Sequence, residues 1–459
     1  MAEHSVTVEN TLQTLLSDKK YSTIRDILVT MNPADIAAVF SGVEQEKLPL
    51  LFRLLPKELA AESFVEMESE EQEALIKGIS DKELRQVIDE LYVDDAVDIV
   101  EEMPANVVQR ILAQADPEMR KEINEILQYP EDSAGSVMTT EYVKLTPDMT
   151  VGDAILRIRR TGVDKETIYT CYVLQNRLLV GTVSVKSLLL APSDLQTIDS
   201  IMESNLITVT THTDQEEVAR MMSKYNLLAI PVVDGDNRMV GIVTFDDAMD
   251  VVEEETTEDM EIMAGMTPSD KTYLRSSPFD LFLHRIPWLS LLMISATFTG
   301  MIISKFEDAL AAMTCLAAFI PMLMDTGGNS GSQSSVTVIR ALSLGELEFS
   351  DLGKVIWKEI RTALICGACL SVLCFAKVML VDRLLMGNDE VNVMVAVVVG
   401  LTLAVTVLCA KLVGCTLPML AKKLGFDPAV MASPFITTIV DALSLLVYFG
   451  IATSLLTIA

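Results

Sequence analysis

The chain has 459 residues, 35 Lys and Arg against 65 Asp and Glu, a formal net charge of −30 and half of its residues hydrophobic. That balance argues against nucleic acid and anionic lipid as partners and favours cations. Six of the seven cysteines (Cys315, Cys366, Cys369, Cys374, Cys409, Cys415) sit in apolar sequence and only three histidines exist (His4, His212, His284), so neither a disulfide framework nor a zinc site is expected, the Cys366-x2-Cys369 spacing notwithstanding.

The charge is distributed unevenly. Residues 1–275 carry 24 basic against 52 acidic side chains, a net of −28, whereas 276–459 carry 11 against 13. The opening MAEHSVTVEN has no apolar signal-peptide core, and the acidic half is expected to stay in the cytoplasm. Within an N-terminal domain, 1–130, short apolar-periodic stretches over residues 20–128 begin at Asn32-Pro33, Ser69-Glu70-Glu71, Ser80-Asp81-Lys82-Glu83 and Asp116-Pro117. Such helix starts every ten to fifteen residues predict an all-α superhelical array. Asp94, Asp98 and Glu102 share one helical face there, which reads either as a solvated face or as a cation site.

An internal repeat follows. Val180-Gly181-Thr182-Val183-Ser184 returns as Val240-Gly241-Ile242-Val243-Thr244, and Ser136-Val137-Met138 is echoed by Ser200-Ile201-Met202. Each copy reads strand, helix, strand, strand, helix, which resembles the α/β CBS module, a regulatory sensor found in pairs; the copies span 134–196 and 197–255. The module's nucleotide signature is complete in the second copy as Gly241, Thr244 and Asp247, while in the first Ser187 replaces the acid after Gly181 and Ser184. The resemblance thus implies an adenine nucleotide such as ATP as a candidate cofactor, against the alternative of a packed turn at a strand end.

Asp246 to Glu261 holds nine carboxylates and no basic residue, inside a connecting segment, 246–275. Asp246, Asp250, Glu254 and Glu258 form one ridge of a helix, a self-repelling face that hard divalent cations relieve. A solvated linker is the plain alternative.

The remaining 280–459 predicts an α-helical membrane domain of five spans: Trp288–Ser304, Leu310–Ile339 with a Gly/Ser/Asn-rich break from Thr326 to Ser335, Thr362–Val381, Val391–Leu420 and Ala429–Ala459. Arg340, Lys354, Lys358 and Arg361, then Lys422 and Lys423, outweigh Lys305 and Arg383 on the other side. This places the N-terminal half in the cytoplasm and the C-terminus outside a multi-pass protein of the cell membrane.

Acidic helical domain, CBS pair, acidic connecting helix and five spans, in that order, resemble the MgtE family of Mg2+ channels over almost the whole chain. The most specific local matches are Pro321 to Gln333 (PMLMDTGGNSGSQ) and Pro434 to Ala442 (PFITTIVDA). The resemblance implies a non-enzymatic, Mg2+-selective uptake channel, a homodimer in the lipid bilayer with a pore lined by the second and fifth spans. It also implies a connecting helix that plugs the pore when cytoplasmic Mg2+ is abundant. Carried over as regulatory Mg2+ ligands are Asp94, Asp98, Asp214, Glu216, Asp247, Asp250, Glu255, Glu258 and Asp259.

Residue chemistry adds to this. Asp441 lies thirteen residues after Pro428, about 20 Å along a helix and near mid-membrane, where a carboxylate usually faces an aqueous path. Two copies across a dimer axis would attract a hydrated Mg2+. Asp325, Gly328, Asn329, Ser433, Pro434, Thr437 and Thr438 are the expected pore-lining residues. An ion-coupled exporter would use Asp441 equally well, and a Mg2+ sensor that transports nothing leaves Asp441 and the Gly-rich stretch without a purpose.

Overall fold

The computed structural model describes residues 11–12, 14–269, 273 and 276–456; the side chains of Ala312 and Ser433 lie outside what is described, and so does the expected pore role of the Ser433 hydroxyl. The chain divides into two compact units, Met1–Val252 and Glu253–Ala459.

In the first unit the described helices α1 (Tyr21–Leu28), α2 (Pro33–Ser41), α3 (Leu48–Phe52), α4 (Lys57–Val65), α5 (Ser69–Gly78), α6 (Asp81–Ile88), α7 (Val93–Glu102), α8 (Ala105–Gln114) and α9 (Pro117–Ile126) follow one another with short connections. From α2 onwards they pack chiefly two apart, α2 on α4, α4 on α6, α6 on α8, α3 on α5 and α7 on α9, the alternation of a superhelical array. Two of the four starts expected from sequence are side-chain caps, and Asn32 precedes its helix without one. Ser80 and Glu83 form a capping box and the Asp116 carboxylate accepts from the Glu118 and Met119 amides, with Pro33 and Pro117 at first helical positions. Ser69 instead opens α5 one residue inside it and its hydroxyl bonds the Glu102 carboxylate. Ile24, Leu28, Ile36, Leu51, Leu75 and Val97 are fully buried along the array.

Two three-stranded sheets follow, β1 (Tyr142–Leu145), β2 (Thr167–Gln175) and β3 (Leu178–Ser184), with α10 (Val151–Thr161) between the first two and α11 (Val185–Leu189) after the third. The second copy repeats the plan as β4 (Val209–Thr210), α12 (Gln215–Tyr225), β5 (Ala229–Val233) and β6 (Met239–Thr244). In each sheet the first pair is parallel and the second antiparallel, and Val173 faces Gly181 as Val232 faces Gly241. The copies interlock: Thr139 of the first bridges to Ile242 of the second, and Glu203 of the second bridges to Thr182 of the first. A β-carbon on Gly241 would lie 2.7 Å from Met138 Sδ and one on Gly181 would lie 2.5 Å from Met202 Sδ. The repeated Ser-x-Met and Val-Gly motifs are therefore two halves of one contact.

The connecting helix α13 (Phe245–Met263) is 19 residues long and contains the boundary between the units. The second unit contains α14 (Pro278–Lys305), α15 (Glu307–Ala312), α16 (Ile320–Ser343), α17 (Leu352–Lys377), α18 (Val393–Lys423) and α19 (Ser433–Leu455). Four stretches among the described residues, Pro278–Lys305, Phe349–Leu385, Val393–Lys423 and Pro428–Leu455, are helical, long and apolar enough to cross a membrane.

The second expected span, Leu310–Ile339, is corrected in two ways. Its helix begins at Ile320, after α15 and a 3-10 turn at Thr314–Phe319, and it runs unbroken through the glycines to Ser343. Glycine costs a helix about 1 kcal/mol when water reaches its backbone. Here neighbouring helices cover it: Gly327, Gly328 and Gly331 are all buried, against Thr406, Thr437 and Ile436 respectively. The third span also starts earlier than its apolar core, because Lys354, Lys358 and Glu359 belong to the first turns of α17 and not to a loop.

Candidate cation sites

Helix α7 presents Asp94, Asp95 and Asp98, and the start of α13 presents Asp246 and Asp247. Burial of Ile99 and Val97 fixes which face of α7 turns inward, so Asp94 comes along with it and is itself only 6% exposed. Its carboxyl is pushed well above the ordinary range by burial first, then by Asp247, Asp95 and Glu166. Burial and Asp247 lift Asp95 to about 6. Burial also lifts Asp247 to about 6, against the hydrogen bonds its carboxylate accepts from the Thr244 hydroxyl and amide. Asp98, whose side chain still reaches solvent, is raised by crowding among protein atoms and then by Asp247 and Asp95.

Two further carboxylates belong to the cluster. Glu166, at the edge of β2, is raised to about 8 by burial, Asp95 and Asp247, and Glu141 to about 7 by burial, which Lys165 opposes. One oxygen each of Asp94, Glu141 and Glu166 is buried without a hydrogen-bond partner. Six carboxyls of hard donor chemistry, three of them with an orphaned oxygen, fit a divalent cation. Among the described residues no three His, Cys, Asp or Glu side chains converge closely enough to hold a bare ion. The fit is therefore to an ion that keeps much of its water, as Mg2+ does.

The other carried-over acids are more scattered. Asp214 caps α12, accepting from the Glu216 and Glu217 amides at 3.0 and 3.4 Å, and this gives it a structural role. Asp250 acts electrostatically on Asp247 from the next turn of α13. Glu258 is exposed, while Glu255 and Asp259 are partly buried. In the second unit Asp259 is raised by burial, then by Asp427 and Glu255. Asp427, which no sequence pattern singled out, caps the turn Pro428–Met431 through the Ala429 amide at 2.7 Å.

That turn is where α13 ends. Ile262 and Met263 pack with Ile339, Ala429 and Ala432, and a β-carbon on Gly265, whose φ is +73°, would lie 3.0 Å from Pro434 Cγ. The end of α13 thus closes over the start of α19. Thr437 and Thr438 donate their hydroxyls to the Pro434 carbonyl at 3.0 and 3.1 Å, leaving oxygen lone pairs for water.

Helices α16 and α19 run antiparallel: Gly327 meets Val440 and Ser444, Gly328 meets Thr437 and Gly331 meets Ile436. Asp325, one turn before Gly328, thereby comes near Asp441, one turn after Thr437, close enough to act on it electrostatically. Asp325 is exposed and accepts from Asn329 Nδ2 at 3.0 Å, and Asp441 is partly buried. Gly328, expected to line a pore, is buried beneath Thr437 and serves the packing of the two helices. At the nucleotide signature, Met138 and the Thr139 carbonyl occupy the space above Gly241, and Thr244 and Asp247 bond each other.

The MgtE intracellular N domain matches residues 31–132, CBS domains match 134–194 and 198–254, and the MgtE divalent cation transporter family matches 320–451. A magnesium transporter MgtE of Thermus thermophilus is 37% identical over 97% of this chain and 98% of its own length, and one of Bacillus subtilis is 33% identical over 96% and 95%. Among solved structures, the cytosolic domain of the Mg2+ channel MgtE in complex with ATP is 36% identical, covering 53% of this chain and 99% of that one with a TM-score of 0.51. The soluble part of a magnesium transporter is 28% identical, covering 55% and 99% with the same TM-score. An acidic superhelical domain, a CBS pair and a helical unit with several long apolar helices, matched along nearly the full length, make this chain a member of the MgtE family of magnesium transporters, a multi-pass membrane protein whose cargo is Mg2+.

Proposed function

We propose that the protein is a Mg2+ uptake channel, without enzymatic activity, that closes when cytoplasmic Mg2+ rises. The observation that carries this reading is the meeting of Asp325 and Asp441 on the antiparallel pair α16 and α19, beside the turn that α13 covers. In a homodimer, two copies of this pair would face a shared axis and attract a hydrated ion through its waters, lowering the electrostatic barrier without stripping the shell. The excess of basic residues in two connections supports an N-terminal half in the cytoplasm and a C-terminus outside.

Gating follows from charge. Hydrated Mg2+ between α7 and the start of α13 would hold that helix against the N-terminal domain by neutralising Asp94, Asp95 and Asp247. Its far end, Ile262 to Gly265, then stays seated over Pro434. When the ion leaves, repulsion among the carboxylates releases the helix and the path opens. Each ion need contribute only about 1–2 kcal/mol of preference for the closed state, since several sum to a large population shift. ATP is a candidate second ligand of the CBS pair, supported by the solved ATP complex of the related cytosolic domain.

Asp441→Ala tests the conduction reading in liposomes. Flux should fall by about a hundredfold or more, because the charge that lowers the electrostatic barrier to the hydrated ion is gone. Wild-type flux through correctly inserted D441A protein would sink it. Imposed proton and Na+ gradients that drive Mg2+ outward through the wild type would instead favour an exporter.

A further inference from the structure

Three charged or polar side chains that the conduction path does not use meet inside the membrane unit. Lys411 of α18 is 5% exposed, and its Nζ donates to Ser334 Oγ of α16 at 3.2 Å and lies 3.8 Å from Glu359 Oε2 of α17. Ser334 in turn donates to Glu359 Oε2 at 2.6 Å. Charges are costly here, and well-packed apolar side chains would usually stabilise the same space as well or better. Packing alone therefore gives no reason for the trio.

Its neighbour supplies one. Ser335, the next residue on α16 and fully buried, donates to the Met431 carbonyl at 2.9 Å. Met431 closes the turn that leads into Pro434, Thr437 and Thr438, and Ala429 and Ala432 of that turn carry the contacts with Ile262 and Met263. Consecutive serines thus tie one helix on one side to a buried ion pair and on the other to the backbone that sets where α19 begins.

We propose that Lys411 and Glu359, acting through Ser334, are positioning residues for Mg2+ transport: they hold α16 in the register that places Asp325 opposite Asp441 and Ser335 under Met431. This rests on the reading of α16 and α19 as walls of the ion path. A purely structural pair would govern how much folded protein forms, whereas a positioning pair also governs how well the folded protein takes up the ion.

The test is Mg2+ flux through the full chain in liposomes, normalised to folded protein, with maximal rate and half-saturating Mg2+ read separately. K411M/E359Q leaves no buried charge unpaired, so it should fold, yet its half-saturating Mg2+ should rise about fivefold, the effect of one lost hydrogen bond. The charge-swapped K411E/E359K restores a pair that Ser334 can both donate to and accept from, and should return to within about twofold of wild type. Wild-type half-saturation in K411M/E359Q, with only yield reduced, overturns the proposal. If that variant fails to fold, S334A decides: a rise of about threefold supports positioning, an unchanged value refutes it. D441A, run in parallel, separates the two readings. Unchanged flux there removes the path itself, whereas lost flux beside wild-type behaviour of the Lys411 and Glu359 variants removes only the positioning role.

Discussion

A β-carbon at Gly241 would stand 2.7 Å from both Met138 Sδ and the Thr139 carbonyl oxygen, and the backbone atom cannot yield as a side-chain tip can. Gly241→Ala should therefore destabilise the first unit by about 1–3 kcal/mol, the ordinary cost of overpacking, whether or not nucleotide is present. Thermal unfolding with and without ATP distinguishes this from a purely ligand-binding role, which would leave unliganded stability untouched. The sequence signature at this position is real, but one glycine satisfies two demands, and only coordinates reveal the second. Asp94 is the opposite case. Its place on an acidic helical face is legible from spacing, while its burial is not, because burial depends on what the start of α13 brings against it.

Elements divide in the same way. The superhelical array, the CBS repeat and the apolar helices follow from periodicity, caps and repetition, all of which are local. The glycine stretch of α16 does not: its composition suggests a break, yet it packs closely against α18 and α19. A β-carbon on Gly414 of α18 would collide with the Gly331 carbonyl oxygen, so here two backbones touch. Gly414→Ala should push α18 away from α16 and cost about 3 kcal/mol or more, measured as lost thermal stability in detergent. Gly353→Ala, at the start of α17 where nothing lies within 4 Å, should leave stability within about 0.5 kcal/mol of wild type. Equal losses would mean that glycine entropy, not close approach, governs both sites. The Lys411–Glu359 pair is illegible for a related reason: its members are far apart in sequence, Lys411 alone reading as a single charge within an apolar run and Glu359 as part of a charged connection.

At the scale of the molecule, the carboxylate cluster couples protons, Mg2+ and compactness. Burial and mutual repulsion raise Asp95 and Asp247 to about 6, Glu141 to about 7 and Glu166 to about 8, all above the ordinary carboxyl values. The folded state thus holds protons that the unfolded chain releases between about pH 4 and 8, and stability must fall as pH rises across that window. For residues 1–263 without divalent ions, we expect a loss on the order of 3 kcal/mol between pH 5 and 8, less than independent groups would give because their protons are shared. Mg2+ should reverse the sign of this dependence in part. It binds the deprotonated carboxylates, so its stabilising effect should be small at pH 5 and grow towards pH 8, where protons no longer compete. KCl at equal ionic strength should flatten the curve less, since screening cannot bridge a particular pair such as Asp94 and Asp247. Urea unfolding across pH, with and without millimolar Mg2+, reads all three. A profile that is flat or rising between pH 5 and 8 without Mg2+, or one that KCl corrects as fully as Mg2+, would reduce the cluster to a solvated acidic surface and move the sensing of cytoplasmic Mg2+ to the Asp259 and Asp427 end of α13.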